Sequence, residues 1–371
     1  MIAPMKIKPF ELERWQSVWE HKVELNIAES GVLPLTAPQL AEEPGALERI
    51  LALPLGYPQT NGSSELRSRI ASWYPGAKEE NVLVTCGGAE ANFLATWALL
   101  EPGDEVVLMQ PNYPQIVGVA ESFGATVKAW WLREKLQWQP DTAELDGLVT
   151  SKTRIIAVCN PNNPTGSVLK EEQMGAVCAA AARVGAWILA DEVYRGAERN
   201  GRTTATFFGR YERVLATAGL SKAYGLPGLR TGWLVGPPEM IEKLWGYHDY
   251  TTIGPTVIGD RLAALALEPA KREELLARTR RILEANYPVV ADWIRRHPDR
   301  LTHVPPKAGA IAWVGCLSSA QLASEALEKK SVLLCPGEQF GMPGFLRIGF
   351  GGHTGDLLQA LGRVEEILAG P

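Results

Sequence analysis

The stretch RIIAVCNPNNPTG, residues 154–166, places an apolar run directly before a turn that contains two prolines. The run Arg154–Cys159 is nearly continuous in hydrophobicity, which is typical of a strand buried on both faces of a sheet. Two Pro-containing turns fix the loop Asn160–Gly166. The stretch therefore predicts a central strand with a rigid loop at its carboxyl end, where the amide of Asn163 is available for hydrogen bonding.

Similar apolar runs occur before and after this stretch. Six further apolar runs are Val82–Thr85, Glu105–Met109, Thr126–Trp130, Ala186–Ala190, Arg213–Ala216 and Gly232–Val235. Between the first two, Leu94, Trp97 and Ala98 recur at i, i+3 and i+4, which is helical spacing. Repeated strand–helix units predict an α/β fold with a doubly wound, mostly parallel, seven-stranded sheet. Ligands of such sheets bind beyond the carboxyl ends of the strands.

The pattern changes after Pro255. The segments that follow are the helical stretches 260–267 and 271–295, the short strands 310–314 and 345–349, and a last helix over 355–368. A chain of 371 residues also exceeds the roughly 250–300 residues that one hydrophobic core serves. We predict a large domain over residues 46–250 and a smaller α+β domain formed by residues 251–371 with the N-terminal arm, residues 1–45.

Charge and cysteine content narrow the class of protein. Lys and Arg total 37 and Asp and Glu total 42, so the formal net charge is −5. Nucleic-acid and membrane partners need clustered basic charge, and we expect neither. The five cysteines are odd in number and lack CxxC spacing, which argues against a disulfide framework or a metal site. No run reaches membrane-spanning length, and residues 1–10 lack the apolar core of a signal peptide. We predict a cytoplasmic protein.

A carboxylate stands at the end of another predicted strand, in Asp191-Glu-Val-Tyr194. A carboxylate in that position is costly unless it meets a cation, and a pyridinium N–H is one such cation. Tyr194, three residues on, and Asn163 could both hydrogen-bond an aromatic phenolate oxygen. The alternative is that Asp191 caps the segment that follows.

The stretch SKAYGLPGLR, residues 221–230, lies between two apolar runs. A buried lysine loses its proton readily and becomes nucleophilic, which suits Schiff-base formation between Lys222 and an aldehyde. The guanidinium of Arg230, eight residues later, can hold a phosphate through two hydrogen bonds. The alternative is a lysine on a surface loop.

In this order and spacing, these three motifs resemble the fold-type I pyridoxal-phosphate (PLP) enzymes, in particular the class I/II aminotransferases related to aspartate aminotransferase. The resemblance extends from about Leu25 to Arg347. It implies a PLP cofactor carried by Lys222 as a Schiff base, with Asp191 at the pyridine nitrogen. The implied reaction moves an amino group between an L-amino acid and a 2-oxo acid.

The resemblance also implies how the phosphate is bound. Gly88 and Ala89 match the phosphate-binding turn at the start of a helix, whose backbone N–H groups face the anion. Ser221 and Arg230 would contact the same phosphate. Tyr57 matches a tyrosine that reaches the phosphate of the neighbouring subunit, which implies a homodimer with shared active sites.

Further positions match residues that contact the ring and the substrate. Tyr113 matches the aromatic ring that stacks on the pyridine, and Arg347 matches the arginine that grips the α-carboxylate. Asn163 would lie at the substrate as well as at the cofactor. We expect residues 247–253 to line the pocket from one subunit or its neighbour. Trp15, Trp19 and Tyr250 are further candidates, although core packing is the better explanation for the two tryptophans.

The chain departs from the family pattern at several positions. Gly219 stands three residues before the lysine, where the family often has Ser or Thr, and Ala89 replaces a hydroxyl residue. Near the N-terminus, Ala28 occupies the place of a glycine and Glu29 follows it. Glu29 could meet a cationic substrate side chain, as in the subgroup that includes capreomycidine synthase. Alternatively, Glu29 is a solvated loop residue or pairs with a local base.

Three other functions remain to be weighed against transamination. The same site could catalyse β-elimination, or cyclisation or oxidation of the capreomycidine synthase kind, because these reactions share their first chemical steps with transamination. An effector-sensing domain would need an attached DNA-binding domain, and no basic helix–turn–helix segment precedes Glu11. A dehydrogenase is disfavoured because no GxGxxG follows a strand.

Overall fold

The computed structural model describes residues 7–369 of the chain. Its strands are, in chain order, β1 Leu25–Asn26, β2 Val82–Thr85, β3 Glu105–Gln110, β4 Thr126–Trp131, β5 Thr153–Cys159, β6 Trp187–Asp191, β7 Val214–Gly219, β8 Gly232–Val235, β9 Thr302–His303, β10 Ile311–Gly315, β11 Val332–Leu333, β12 Cys335–Pro336 and β13 Phe345–Gly349.

The α-helices lie between and beyond these strands. They are α1 Glu11–Trp19, α2 Ala37–Leu40, α3 Ala46–Leu51, α4 Ser64–Ala71, α5 Gly87–Leu99, α6 Gln115–Ser122, α7 Leu145–Leu148, α8 Glu171–Val184, α9 Pro238–His248, α10 Val257–Ala266, α11 Pro269–Arg295, α12 Ser319–Lys330 and α13 Thr354–Ala369. In the described range, no helix is both long and apolar enough to cross a membrane.

Strands β2 to β8 form one seven-stranded sheet in the order β2-β8-β7-β6-β5-β3-β4. The pairs from β7 through β4 are parallel, and β8 is antiparallel to both of its neighbours, β2 and β7. This confirms the predicted α/β fold with its mostly parallel, seven-stranded sheet. Two boundaries bear on the site: β6 extends to Asp191, and α5 begins at Gly87, two residues before the predicted start.

Helices cover both faces of this sheet, which explains why the strands are apolar without alternation. Neighbouring residues of β5 point to opposite faces. Ile155 belongs to the same buried cluster as Leu94 of α5, whereas Ile156 packs in the cluster of Val177 from α8. Both isoleucines are fully buried. The sheet is therefore enclosed, and its carboxyl edge is left to carry the polar loops.

The rest of the chain builds two smaller sheets. Strands β12, β13, β10 and β9 form an antiparallel sheet in that order. Strand β1 pairs in parallel with β11, with Leu25 opposite Val332, so the N-terminal segment joins the C-terminal part of the chain. The predicted domain division at residues 45/46 and 250/251 stays a prediction.

Candidate active site

A cavity of about 520 Å³ opens at the carboxyl edge of the large sheet. We call this cavity the cleft. The predicted site residues that line it are Glu29, Gly88, Ala89, Tyr113, Asn163, Asp191, Tyr194, Ser221, Lys222, Arg230 and Arg347. Ala28 lies directly behind this lining, since it is fully buried and its carbonyl oxygen accepts Arg347 Nη2 at 2.7 Å. Residues spread over more than 300 sequence positions thus meet at one place.

The carboxylate of Asp191 lies at the end of β6, where it pairs with Cys159 and Thr217. Its oxygens accept Val193 N at 3.1 Å and Asn92 Nδ2 at 3.2 Å. Burial raises the pKa of this carboxyl, with the two hydrogen bonds opposing. Within the described residues no cation forms an ion pair with it. A buried carboxylate that lacks a cation and lines the cleft fits the pyridinium N–H of PLP.

Asn92 is a site residue that the sequence interpretation missed. It sits on α5, and its Oδ1 accepts Thr217 Oγ1 at 2.8 Å, so its amide nitrogen is turned toward Asp191. The available signal was an amide side chain on the buried face of a helix whose other buried residues, apart from Thr96, are apolar or glycine. This chain of hydrogen bonds holds the carboxylate in one orientation.

The ε-amine of Lys222 lies 2.7 Å from Glu29 Oε1. Burial lowers the pKa of Lys222, but Glu29 and the Tyr194 hydroxyl raise it more, so the pKa lies above its ordinary value. The expectation that burial makes this lysine lose its proton readily is therefore wrong in direction. The ion pair places Glu29 on a local base, although its side chain stays 49% exposed, and Lys222 lies in the cleft rather than on a surface loop.

The first turn of α5 and Arg230 form a site suited to an anion. The backbone N–H groups at a helix start have no partner within the helix, and Gly88 and Ala89, in the first turn, line the cleft. Arg230 Nη1 contacts Ser221 Oγ at 3.5 Å and Pro227 O at 3.2 Å. In the described part of the chain, no carboxylate pairs with its guanidinium. These groups fit the phosphate of PLP.

Close packing explains one departure from the family pattern, the glycine at position 219. A Cβ added to Gly219 would lie 3.0 Å from Thr231 O and 3.5 Å from Gly88 N, so a hydroxyl residue would crowd the turn. A Cβ added to Gly232 would lie 2.3 Å from the carbonyl carbon of Gly87. Strand β8 and the start of α5 therefore meet backbone to backbone, and the phosphate subsite relies on N–H groups, Ser221 and Arg230.

Arg347 stands on β13, opposite Trp313 of β10, and is only 2% exposed. Its Nη1 donates to Asn163 Oδ1 at 3.1 Å and its Nη2 to Ala28 O, while its Nε is buried without a partner in the described structure. A buried guanidinium with no carboxylate partner is costly. It fits the α-carboxylate of an amino acid.

The hydroxyl groups of two tyrosines predicted to contact the cofactor have protein partners of their own. Tyr194 donates its hydroxyl to Ser30 Oγ at 2.9 Å, and Tyr113 donates to Glu13 Oε1 at 2.6 Å. Asn163 uses its carbonyl oxygen on Arg347, which leaves its amide nitrogen for the cleft. The roles of these side chains toward the cofactor stay predictions.

Helix α1 forms one wall of the cleft through Phe10, Glu13, Gln16 and Glu20. The sequence interpretation named Trp15 and Trp19 as candidates from this helix, and neither lines the cleft. Both are partly buried and pack against a hydrophobic core cluster instead, and Trp15 Nε1 donates to Leu334 O at 3.0 Å. The sequence did contain a signal: Glu13, Gln16 and Glu20 are spaced at i, i+3 and i+7, which places them on one face of the helix.

Tyr57 and the segment 247–253 are not brought to the cleft within one chain. Tyr57 is 87% exposed and lines a separate cavity of about 570 Å³. The segment is held by Glu90, which contacts His248 Nε2 at 3.2 Å and Thr252 Oγ1 at 2.8 Å. Tyr250 is 83% exposed. A role for these residues in a neighbouring subunit stays a prediction.

Comparison with known proteins agrees with this geometry. Residues 54–364 match the family described as aminotransferase class I and II. Capreomycidine synthase of Streptomyces vinaceus is 30% identical over 99% of this chain and 95% of its own length. A solved PLP-dependent aminotransferase from Streptococcus suis 89-1591 is 32% identical, with a TM-score of 0.92 and 98% of both chains covered. The PLP-dependent cyclase OrfR is 27% identical, with a TM-score of 0.89 and 99% of both chains covered.

The chain belongs to the aminotransferase class I and II family. It is a fold-type I, PLP-dependent enzyme of that family, and PLP is its cofactor.

Proposed function

We propose that the protein is an amino acid aminotransferase that moves an amino group between an L-amino acid and a 2-oxo acid. The observation that carries this proposal is the meeting of four groups in one cleft: Lys222, Asp191, Arg230 and Arg347. Each is a charged side chain whose expected partner is a different part of the cofactor or substrate. Such a set orients both molecules relative to one amine.

Different residues bind different parts of the cofactor and of the substrate. PLP, when bound, withdraws electrons from the substrate Cα and so weakens its bonds. Asp191 keeps the pyridine nitrogen protonated, and Arg230 with the first turn of α5 holds the phosphate. Tyr194 and Asn163 face the phenolate oxygen. Arg347 binds the α-carboxylate and thereby fixes the direction in which the substrate lies.

Lys222 has two successive roles in this proposal. It first carries the cofactor through its Nζ atom. When not bonded to the cofactor, its ε-amine would take the Cα proton as general base, a role suited to an amine that lines the same cleft as Arg347. Arg347 contributes by holding the Cα–H bond toward Lys222.

Reduction with borohydride tests the attachment. The purified protein should be yellow, and borohydride followed by peptide mass spectrometry should find the cofactor on Lys222. A Lys222→Ala variant should lose the adduct and all turnover, whereas Lys243→Ala, on helix α9, should keep both. An adduct that survives at the same peptide in Lys222→Ala would overturn the proposal.

A second candidate is a PLP-dependent cyclisation, oxidation or elimination. It is favoured by the carboxylates of Glu13 and Glu20 in the cleft wall and by the likeness to capreomycidine synthase and to the cyclase OrfR over nearly the whole chain. Transamination consumes one 2-oxo acid for each amino acid, and the other reactions consume none. Measuring acceptor use against donor use therefore separates the two.

The substrate side chain is proposed to be cationic. Arg347 and Arg230 are assigned to the substrate carboxylate and the cofactor phosphate, which leaves Glu13 and Glu20 without cations from that set. A cationic side chain reaching helix α1 would restore the balance of charge. A screen of amino donors with pyruvate and 2-oxoglutarate as acceptors tests this.

Homodimer assembly and a cytoplasmic location are also proposed. Leu55, Tyr57, Tyr250 and Ile253 are exposed apolar side chains on two neighbouring segments, as the contact of Trp245 Nε1 with Thr60 Oγ1 at 2.9 Å indicates. Such a patch favours burial against a second copy. All five cysteines are free thiols, which supports a reducing compartment.

A further inference from the structure

Glu29 and Lys222 form an ion pair at the centre of the cleft. Glu29 Oε1 lies 2.7 Å from Lys222 Nζ and also accepts the backbone N–H of Gly31 at 2.7 Å. The two charged residues are 193 positions apart in the chain, so only the tertiary fold brings them together. A carboxylate in contact with an ammonium favours the charged form of both groups.

The backbone directly before Glu29 is held by strand β13. Gly349 N donates to Ile27 O at 2.7 Å, and Arg347 Nη2 donates to Ala28 O at 2.7 Å. A Cβ added to Gly349 would lie 1.9 Å from the carbonyl oxygen of Glu29, which shows how closely β13 approaches this segment. The carboxylate is therefore presented to Lys222 from a clamped segment rather than from a free loop.

The charges around the pair act in opposite directions. Burial lowers the pKa of Lys222, Glu29 and Tyr194 raise it, and Arg347 lowers it, with a net increase. Lys222 is the largest cause that lowers the pKa of Glu29, to about 2, against the opposing effect of burial and with help from Arg347. The other charged side chains of the cleft are Glu13, Glu20, Asp191 and Arg230. Glu29 is thus the carboxylate that acts on this amine by direct contact.

We propose that Glu29 is a positioning residue whose carboxylate holds the ε-ammonium of Lys222 and so controls how readily this lysine releases and regains its proton. The inference rests on the proposed function of Lys222. The carboxylate of Glu29 then has opposite effects on two steps. Bonding of the lysine to the cofactor aldehyde requires the neutral amine, which Glu29 disfavours. Taking a proton from the substrate leaves an ammonium, which Glu29 favours.

The proton and electron pairs balance in both steps. For attachment, the ammonium gives one proton to solvent and the nitrogen lone pair bonds to the aldehyde carbon. The two remaining N–H protons pass to the aldehyde oxygen, which leaves as water. For proton transfer, the nitrogen lone pair takes the substrate proton, and the new ammonium rests against the carboxylate. Removing the carboxylate should therefore speed the first step at neutral pH and slow the second.

The test compares Glu29→Gln with Glu24→Gln. Glu24 lies on the same segment, and its carboxylate pairs with Arg363 Nη2 at 2.7 Å instead of with Lys222. PLP is added to the full chain after removal of cofactor, and attachment is followed by absorbance between pH 6 and 9. We expect Glu29→Gln to attach PLP about tenfold or more faster at pH 7, with the pH midpoint lower by about one unit or more. Glu24→Gln should match the wild type.

Single-turnover proton transfer from the substrate provides the opposing readout. It should be about tenfold or more slower in Glu29→Gln, because the amine has become a weaker base. Glu29→Asp keeps the charge on a shorter arm and should restore part of both effects, and it also serves if Glu29→Gln does not fold. The inference is overturned if the pH midpoint is unchanged. It is also overturned if both rates fall, as general damage to the protein would cause. Borohydride labelling of another lysine would instead overturn the proposed function.

Discussion

Three carboxyl groups in and beside the cleft differ in pKa because their neighbours differ. Glu29 touches an ammonium, and its pKa is lowered to about 2. Asp191 is buried with two neutral hydrogen-bond donors, and burial raises its pKa. Glu192 is buried next to it, and burial raises its pKa to about 7 despite Arg195 nearby. The residue type alone does not decide which of the three carries a proton.

Glu192 provides a prediction at this scale. Its Oε1 accepts Thr206 Oγ1 and Phe207 N, both at 2.8 Å, while its Oε2 is buried without a partner in the described structure. Because the folded-state pKa lies above the ordinary 4.5, the folded state binds this proton more tightly than the unfolded state. Its contribution to stability is full below pH 4.5 and is lost as pH rises toward 7.

The expected loss from Glu192 over that pH range is about 3 kcal/mol in the free energy of unfolding. Glu192→Gln should remove this part of the pH dependence, as measured by urea denaturation from pH 4.5 to 7.5. Asp191 contributes a trend of the same sign in both proteins, so the slope should fall rather than vanish. Glu239→Gln, exposed on α9, is the control. Equal slopes in wild type and Glu192→Gln would refute the prediction.

At the scale of elements, the strands of the large sheet were predictable and one wall of the cleft was not. Strands buried on both faces of a sheet leave a continuous apolar run, so β2 and β8 match their predicted bounds and β3 differs by one residue. Helix α1 was visible only as an amphipathic segment. Which neighbours its polar face meets depends on packing against residues far along the chain, such as Tyr113.

Helix α1 is expected to select the substrate side chain. The double variant Glu13→Gln/Glu20→Gln should lower kcat/KM for arginine or lysine by about tenfold or more, because hydrogen bonds between charged groups are lost. The value for alanine should change much less. Steady-state kinetics with one fixed 2-oxo acid measures both.

The control for this prediction is Glu11→Gln, an exposed carboxylate of the same helix. Equal losses for alanine and arginine would show that Glu13 acts by holding Tyr113 and that the two carboxylates do not meet the substrate side chain. Higher activity of the double variant on cationic donors would contradict the assignment outright.

At the scale of the whole molecule, the exposed apolar segments around Tyr57 and Tyr250 decide the expected assembly. Leu55→Glu/Tyr250→Glu places two charges on a surface proposed to be buried against a second copy. We expect light scattering to give twice the chain mass for the wild type and a single chain mass for the variant. The monomer should also bind PLP more weakly, since Tyr57 is expected to reach the phosphate of the neighbouring subunit.

Leu317→Glu is a suitable control for the assembly prediction, because Leu317 is 98% exposed and lies after β10, outside the Tyr57 and Tyr250 segments. This variant should remain dimeric. A dimer that persists in Leu55→Glu/Tyr250→Glu, or a wild-type protein that is monomeric at micromolar concentration, would show that the apolar segments serve another purpose.

The sequence by itself determined the sheet, the family and the residues at the strand ends. Buried strands and Pro- or Gly-rich turns follow from local pattern. Lys222 and Arg230 stand in a turn of this kind, and Asp191 stands at the end of a buried strand. Only the tertiary structure decided the charge state of Lys222, because Glu29 reaches it from a distant segment. Electrostatic energies depend on distances between atoms and on burial, and neither is written in local sequence pattern.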